Sequence, residues 1–252
     1  MNTTTPIASG AGATGLKAII LAGGKGTRLR PFTVNFPKPL VPLGDVPVVE
    51  VLLQRLISFG VTDVTMTLGH LAELMKAYFT HRNQLTSRMN LKFVAEESPT
   101  GTAGSVTLVP DLEDTFLVMN GDLLTDLNFH ALVDFHRSRQ AMLTIATHRR
   151  HVKIDLGVLE IDDCGQIVNY LEKPEKYYDV SMGIYVYEPA VLKYVTKGQH
   201  LDLPDLVLRL IAAGERVSAF QTDCQWLDIG RPDDYALAQE LFSEQMDAFT
   251  RV

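Results

Sequence analysis

Apolar residues follow two alternating spacings through the first half of the chain. Apolar runs rich in β-branched residues occupy positions 17–21 and 61–68, and segments whose apolar residues recur every three to four positions occupy 48–59 and 71–79. The first spacing is typical of buried strands and the second of amphipathic helices. The order strand, helix, strand, helix predicts parallel strands joined by right-handed crossovers.

The pattern continues towards the C-terminus. Further strands are predicted at 91–95, 115–119, 142–147, 182–187, 217–221 and 225–227, and helices at 102–108, 129–137, 189–195, 203–213 and 232–242. Segments 157–161 and 167–171 flank a turn at 162–165, which predicts a β-hairpin. We interpret the run from His148 to His151 as a solvated turn between strands. This order of strands and helices predicts an α/β fold with a Rossmann-like, doubly wound, mostly parallel mixed sheet. In such sheets ligands bind at the carboxyl ends of the strands.

Composition limits the domain count and the class of partner. The 252 residues are 46% hydrophobic, enough for one large core and short for two, so we predict a flexible leader at 1–15 and a single domain at 16–252. A formal net charge of -7 argues against a nonspecific nucleic-acid or anionic-membrane partner. No run approaches the roughly 18 apolar residues of a membrane span, and no secretion signal is visible, so we expect a cytoplasmic protein. Cys164 and Cys224 fit neither a disulfide framework nor a zinc site.

The stretch from residue 21 to residue 42, LAGGKGTRLRPFTVNFPKPLVP, carries the strongest chemical signal. Its closely spaced glycines let the backbone approach a bulky anion, and Lys25, Arg28 and Lys38 place three cations around the same loop. The dinucleotide fingerprint would need a third glycine where Leu29 stands, and a P-loop would need Ser or Thr where Gly26 follows the lysine. This combination favours a nucleoside triphosphate ligand.

The stretch resembles the signature of the sugar-1-phosphate nucleotidylyltransferases, G-G-x-G-T-R-L followed shortly by P-K-P. The resemblance implies that Arg28 binds the β- and γ-phosphates and that Lys38 binds the α-phosphate and the charge that develops there. It assigns further nucleotide contacts to Leu21, Ala22, Gly23, Gly24, Lys25, Gly26 and Thr27. It also implies the nucleotide-diphospho-sugar transferase fold, here without the hexapeptide repeat of the C-terminal left-handed β-helix that many longer members carry.

Two aspartates follow predicted strands. Asp122 ends the segment VMNGD, and Asp228 lies in WLDIG, which resembles the family's W-x-D-x-G. Nucleotidyl transfer requires neutralisation of charge at the α-phosphorus, and Mg²⁺ prefers one or two carboxylates together with phosphate oxygens and water. We expect Mg²⁺ at Asp122 and Asp228.

The acceptor is itself a phosphate monoester, so the site needs another cation. Glu172-Lys173-Pro174 resembles the family's E-K-P, which implies that Lys173 contacts the sugar phosphate and that Glu172 binds sugar hydroxyls. Gly157 resembles the glycine of the family's Y-G-V, although Leu156 replaces the aromatic residue. Ser181 and Gly183 correspond to the family's N-A-G, with Ser181 in place of a sugar-contacting asparagine. The identity of the sugar stays open.

The run EESPTGTAG, residues 96–104, stands where the family binds the nucleobase, which implies contacts from Glu96, Gly101 and Thr102. A carboxylate only accepts hydrogen bonds and suits the adjacent N1 and N2 donors of guanine. We favour GTP, and a uridylyl- or thymidylyltransferase of the same fold is the alternative. A noncatalytic paralogue that binds nucleotide sugars and an enzyme acting on a phosphorylated alcohol are weaker alternatives. The sequence leaves open whether the chain forms a homo-oligomer.

Overall fold

The computed structural model describes residues 15–251, and its largest element is a seven-stranded sheet. The predicted leader lies outside the described residues except for Gly15. The strands are β1 Lys17–Ala22, β2 Pro42–Leu43, β3 Val46–Pro47, β4 Asp63–Leu68, β5 Asn90–Ala95, β6 Phe116–Asn120, β7 Leu123–Thr125, β8 Leu143–Lys153, β9 Val158–Ile161, β10 Ile167–Leu171, β11 Glu175–Tyr187, β12 Val217–Thr222 and β13 Trp226–Asp228. The α-helices are α1 Val48–Ser58, α2 Ala72–Thr80, α3 Asn83–Thr86, α4 Gly101–Gly104, α5 Phe129–Arg139, α6 Leu203–Ala212 and α7 Pro232–Thr250. Short 3-10 helices cover Thr27–Leu29, Lys38–Leu40, Ser105–Leu108 and Pro189–Tyr194.

The sheet has the order β12-β8-β11-β6-β1-β4-β5. Six strands run in one direction, and β11 lies antiparallel between β8 and β6. The predicted doubly wound, mostly parallel mixed sheet is therefore confirmed. The chain moves outward from β1 through β4 to β5 and then returns to β6 on the other side of β1. This reversal opens a crevice at the carboxyl ends of β1 and β6, the position where ligands bind in such sheets.

The strand β1 is buried on both faces, which explains its continuous apolar sequence. Ile20 faces a core that includes Leu53 and Leu56 of α1. Its neighbour Ile19 points to the opposite face and packs in a second core with Leu206 of α6. Burial on both sides fixes β1 at the centre of the sheet and so fixes the loop that follows it.

The two strands β8 and β11 are longer than predicted. Residues 148–153 continue β8 and pair with 175–180 of β11, so the interpretation of His148–His151 as a turn is wrong. Residues 148–153 and 175–180 form an exposed pair of strand segments, with charged and aromatic side chains on both faces. Because neither face is apolar, the sequence lacks the alternation of apolar and polar residues that predicts a strand. Beyond this ladder, β9 and β10 form a separate two-stranded hairpin, as predicted.

Among residues 15–251, no helix combines the length and the apolar character needed to cross a membrane.

A buried histidine connects α5 to the sheet. The side chain of His136 is 1% exposed, with Nδ1 2.8 Å from Thr144 Oγ1 and Nε2 3.0 Å from Glu188 Oε1. A neutral ring satisfies both contacts when Nε2–H donates to the carboxylate and Nδ1 accepts from the hydroxyl. Burial lowers the pKa of His136 below its ordinary value of 6.5.

We expect acid to weaken the fold through this residue. Because the unfolded His136 takes up a proton at a higher pH than the folded one, its contribution to stability is complete above about pH 6.5 and is lost as the pH falls below that value. Urea unfolding at pH 7.5 and 5.5 should show a smaller pH-dependent loss of stability in His136→Gln than in the wild type. An equal loss in both proteins would contradict this role.

Candidate active site

A cleft of about 440 Å³ opens at the carboxyl ends of β1 and β6. It is lined by Leu21, Ala22, Gly23, Gly24, Gly26, Thr27, Arg28, Lys38, Pro39, Thr67, Glu96, Pro99, Gly101, Thr102, Ser105, Asn120, Gly121, Asp122, His200, Asp202 and Gly230. The structure therefore brings the glycine loop, the run of residues 96–104 and Asp122 to one place. Lys25 belongs to the glycine loop but does not line the cleft.

The glycine loop is fixed by contacts that exclude larger side chains. Gly26 has a φ of +61°, and a Cβ at this position would lie 3.0 Å from the Thr33 side chain and 3.1 Å from the Cβ of Lys38. The Thr33 hydroxyl donates to the Gly26 carbonyl at 2.6 Å. The left-handed turn at Gly26 thus packs the loop directly against the segment that carries Lys38.

Lys38 joins the two predicted metal ligands. Its Nζ contacts Asp122 Oδ2 and lies 3.9 Å from Asp228 Oδ1, and the Lys38 side chain is only 13% exposed. The carboxylates approach each other because β13 pairs with β7, which places Asp228 opposite Leu123, and because Ile229 N–H donates to the Asp122 carbonyl. The pKa of Asp228 is raised by burial and next by the charge of Asp122.

The donor set at this point fits a magnesium ion. Two carboxylates and no nitrogen or sulfur ligand meet here, and Mg²⁺ takes one or two carboxylates and completes its shell with water and substrate phosphates. No group of three or more potential metal-binding side chains occurs in the described part of the chain. Such a site would hold its ion together with a phosphate ligand.

Glu96 stabilises the run of residues 96–104 where it lines the cleft. Its Oε2 accepts from the Thr100 N–H at 2.9 Å and from the Thr100 hydroxyl at 3.1 Å. The other oxygen, Oε1, would lie 2.8 Å from a Cβ added to Gly23, so the Glu96 carboxylate packs directly against the glycine loop. Glu96 thus bridges the run of residues 96–104 and the glycine loop, whereas Glu97 is exposed and does not line the cleft.

A second carboxylate holds the opposite end of the same run. Asp202 Oδ1 accepts from the Thr102 N–H at 3.1 Å, and the Thr102 hydroxyl accepts from the Leu203 N–H at 2.8 Å. The Leu201 carbonyl accepts from the amides of Ala103 and Gly104. The loop that precedes α6 is therefore docked on α4, and it brings His200 and Asp202 into the cleft.

The predicted sugar-binding residues divide into two groups. Ser181 and Gly183 lie on β11 beside the cleft, because a Cβ on Gly183 would meet Asn120 Nδ2 at 2.5 Å. The Ser181 hydroxyl lies 3.0 Å from the Tyr185 hydroxyl. Asn120 itself lines the cleft.

The other group lies on the outer hairpin and does not line the cleft. A Cβ on Gly157 would overlap the Tyr170 hydroxyl, which itself donates to Glu172 Oε2 at 2.9 Å. Lys173 lies two residues before the start of β11, and the part of that strand from Glu175 to Ser181 spans roughly 20 Å. The sugar contacts assigned to Gly157, Glu172 and Lys173 stay predictions.

Asn120, His200 and Asp202 are among the cleft residues that sequence reasoning missed. Asn120 directly precedes Gly121 and Asp122 at the end of a buried strand, and that position could have identified it. His200 and Asp202 follow no motif. They reach the cleft through contacts with residues about 100 positions earlier. A local sequence pattern does not predict contacts between such distant residues.

Comparison with known proteins identifies relatives of this chain. A family model described as Nucleotidyl transferase matches residues 17–245. The UTP–glucose-1-phosphate uridylyltransferase of Synechocystis sp. is 35% identical over 238 residues, covering 87% of this chain and 61% of that protein. The mannose-1-phosphate guanylyltransferase of Mycobacterium tuberculosis is 32% identical over 224 residues, covering 86% of this chain and 62% of that protein. The chain thus spans about three fifths of the length of these curated relatives.

Solved structures show the same fold. The crystal structure of HddC from Yersinia pseudotuberculosis has a TM-score of 0.70 at 24% identity, and the match covers 90% of this chain and 99% of HddC. HddC complexed with GMP-PN matches with a TM-score of 0.65 at 25% identity and the same coverage. Because the family model covers nearly the whole described chain and the fold agrees, this chain belongs to the nucleotidyl transferase family.

Proposed function

We propose that this chain transfers a nucleotidyl group from a nucleoside triphosphate to a sugar 1-phosphate, releasing pyrophosphate and a nucleoside diphosphate sugar. The observation that carries the proposal is the position of Lys38, which lies between Asp122 and Asp228 in the cleft beside the glycine loop. An ammonium flanked by two carboxylates suits a centre where phosphate charge must be bound and redistributed.

In this proposal the chain contributes alignment and charge. The backbone from Gly23 to Gly26 receives the triphosphate, Arg28 neutralises the leaving pyrophosphate, and Lys38 stabilises the charge that develops at the α-phosphorus during in-line attack. Asp122 and Asp228 would hold Mg²⁺, which neutralises phosphate oxygens when bound. No general base is needed, because a phosphate monoester with a second pKa of about 6 is already ionised near neutral pH.

We propose GTP as the preferred nucleotide. Since Thr100 occupies one oxygen of Glu96, the free Oε1 is an acceptor of fixed orientation, suited to the adjacent N1 and N2 donors of guanine. Uracil offers a single N–H donor on its pairing edge. The relative HddC, which has been solved with GMP-PN, agrees with this choice, whereas the Synechocystis relative is named for UTP.

The test measures pyrophosphate release with each of five nucleoside triphosphates and a panel of sugar 1-phosphates in the presence of Mg²⁺. We expect release with at least one sugar and the largest kcat/KM with GTP. Release with no pair would reject the proposed activity. A preference for UTP or dTTP would reject the guanine assignment and keep the reaction class.

The base assignment predicts a specific effect of Glu96→Gln. Glutamine can still accept from Thr100 but also presents a donor, so the kcat/KM ratio of GTP to UTP should fall by about tenfold or more. The matched control is Glu97→Gln, which makes the same change one residue later on an exposed side chain outside the cleft. An unchanged ratio in Glu96→Gln would contradict direct contact with the base.

A further inference from the structure

One buried hydroxyl group in the cleft has no hydrogen-bond partner. Thr67 is the last residue but one of β4 and lines the cleft, yet the residue is 0% exposed. Its Oγ1 is buried and bonds to no other group within residues 15–251. Buried polar groups in folded proteins are almost always paired, so an unpaired one requires an explanation. A ligand in the cleft would supply the missing partner.

The strand register places Thr67 beside Glu96. Thr67 pairs with Leu21 of β1 and with Val94 of β5, and paired residues of parallel strands point to the same face of the sheet. Glu96 follows Val94 by two residues, and its N–H donates to the Leu68 carbonyl at 2.7 Å, which extends the ladder to this position. Side chains two residues apart share a face, and neighbouring strands lie about 4.8 Å apart. Leu21, Thr67 and Glu96 thus form one surface, which we call the cleft floor.

The segment that includes α4 covers the same face of the sheet. Ile19 points to that face of β1 and packs in one core with Ala103 and Val106. Thr102 and Ser105 of the same segment line the cleft. The cleft is therefore a slot between the cleft floor and this covering segment. Such a slot suits a flat heteroaromatic ring, whose edge meets the two polar side chains of the floor.

We propose that Thr67 binds the nucleobase, donating its hydroxyl hydrogen to the exocyclic oxygen O6 of guanine beside the N1–H that donates to Glu96. The inference rests on the nucleotide substrate of the proposed function and adds a residue to its binding site. A carboxylate only accepts hydrogen bonds, so Glu96 requires a ring N–H. In guanine, as in uracil and thymine, an exocyclic oxygen flanks that N–H and pairs with a neighbouring hydroxyl. Adenine and cytosine present an unprotonated ring nitrogen there, which the carboxylate repels.

The first measurement is the affinity for GTP by isothermal titration calorimetry, with Mg²⁺ and without sugar phosphate. Thr67→Val keeps the branched shape of the side chain and removes the hydroxyl. We expect its Kd to rise at least about fivefold, because the buried hydroxyl is already desolvated and its bond to the base replaces no bond to water. The matched control is Thr65→Val on the same strand and face, since Thr65 is 7% exposed and does not line the cleft. The Kd of this control should not change, and an unchanged Kd in Thr67→Val would overturn the proposal.

The melting temperature of the unliganded protein distinguishes a binding role from a structural one. Thr67→Val should melt at the wild-type temperature or above it, because the substitution removes a buried polar group that has no partner. Thr100→Val should melt at a lower temperature, because the Thr100 hydroxyl donates to Glu96 Oε2 at 3.1 Å. A melting temperature of Thr67→Val below that of the wild type would show that its hydroxyl is paired in the free protein, and the proposal would fall.

An altered base tests which atom the hydroxyl contacts. In 6-thio-GTP sulfur replaces O6 and is the weaker hydrogen-bond acceptor, while N1–H and the 2-amino group remain. The ratio of its Kd to that of GTP should be at least about threefold larger in the wild type than in Thr67→Val. The larger size of sulfur affects both proteins and cancels in this comparison. An equal ratio in the two proteins would show that the hydroxyl does not contact O6 and would overturn the proposal.

The same measurements separate this inference from the proposed function. If UTP or dTTP binds more tightly than GTP, the guanine assignment fails, and the comparison with the 4-thio analogue of that nucleotide decides whether Thr67 contacts the oxygen beside the ring N–H. A preference for ATP or CTP, or binding of no nucleoside triphosphate, would overturn both the inference and the proposed substrate. Nucleotide binding that depends on Thr67, without pyrophosphate release, would reject the transfer reaction and keep the inference.

Discussion

Replacing Lys38 with methionine is expected to lower kcat by a factor of about 10²–10³, the usual cost of removing one preorganised charge from a reacting centre. Methionine keeps the length and apolar stem of the side chain and removes only the ammonium. That group contacts Asp122 and lies 3.9 Å from Asp228. Its loss removes a charge from the proposed α-phosphate position and leaves the two carboxylates to repel each other.

The variant Lys38→Arg distinguishes the effect of the positive charge from the effect of the side chain's shape. Lys38→Arg keeps the positive charge and should lose less activity than Lys38→Met, although a planar guanidinium cannot occupy the ammonium position between the two aspartates. Lys76→Met on the surface of α2 controls for the loss of a lysine elsewhere. kcat at saturating nucleotide and sugar phosphate, together with the melting temperature, distinguishes a catalytic defect from unfolding. A kcat within threefold of the wild type for Lys38→Met would refute the proposed role.

The cleft positions that the sequence predicted correctly lie at the ends of apolar strands, where the pattern of neighbouring residues is enough to place them. The apolar run of β1 followed at once by glycines, and the apolar run of β6 followed by Asp122, both place chemistry at strand ends. Parallel strands that share an edge bring such ends together, so the meeting of Gly23 and Asp122 follows from topology. Asp228 lies near Asp122 because β13 pairs with β7, and its role as a metal ligand stays a prediction.

The parts that sequence could not predict depend on distant contacts. Asp202 reaches the cleft only because the loop before α6 docks on α4, a contact between residues about 100 positions apart. The extension of β8 and β11 escaped prediction because both faces of that ladder are exposed, and hydrophobic periodicity reports only a buried face. Both features result from tertiary packing that a local pattern does not encode.

Gly101→Ala is expected to destabilise the protein strongly, because Gly101 packs against the loop that precedes α6. Gly101 has a φ of +77°, and an added Cβ would lie 2.5 Å from the Leu201 carbonyl oxygen and 2.8 Å from Asp202 Oδ1. The first of these is backbone, which cannot move aside without breaking the bonds that hold the loop on α4. Left-handed strain of about 1–2 kcal/mol and the overlap together should cost about 2–4 kcal/mol of stability.

The chain offers a control that isolates the overlap from the strain. Gly198 has nearly the same φ, +78°, but a Cβ there would meet nothing within 4 Å. In Gly198→Ala the backbone strain alone should lower the free energy of unfolding, by about 1–2 kcal/mol. The KM for nucleotide should not change. Gly101→Ala should also raise that KM by at least about tenfold, because moving Leu201 and Asp202 displaces Thr102 on the cleft wall. If urea unfolding and KM change equally in the two variants, the close approach of Leu201 contributes nothing, and the loop before α6 does not position the nucleotide.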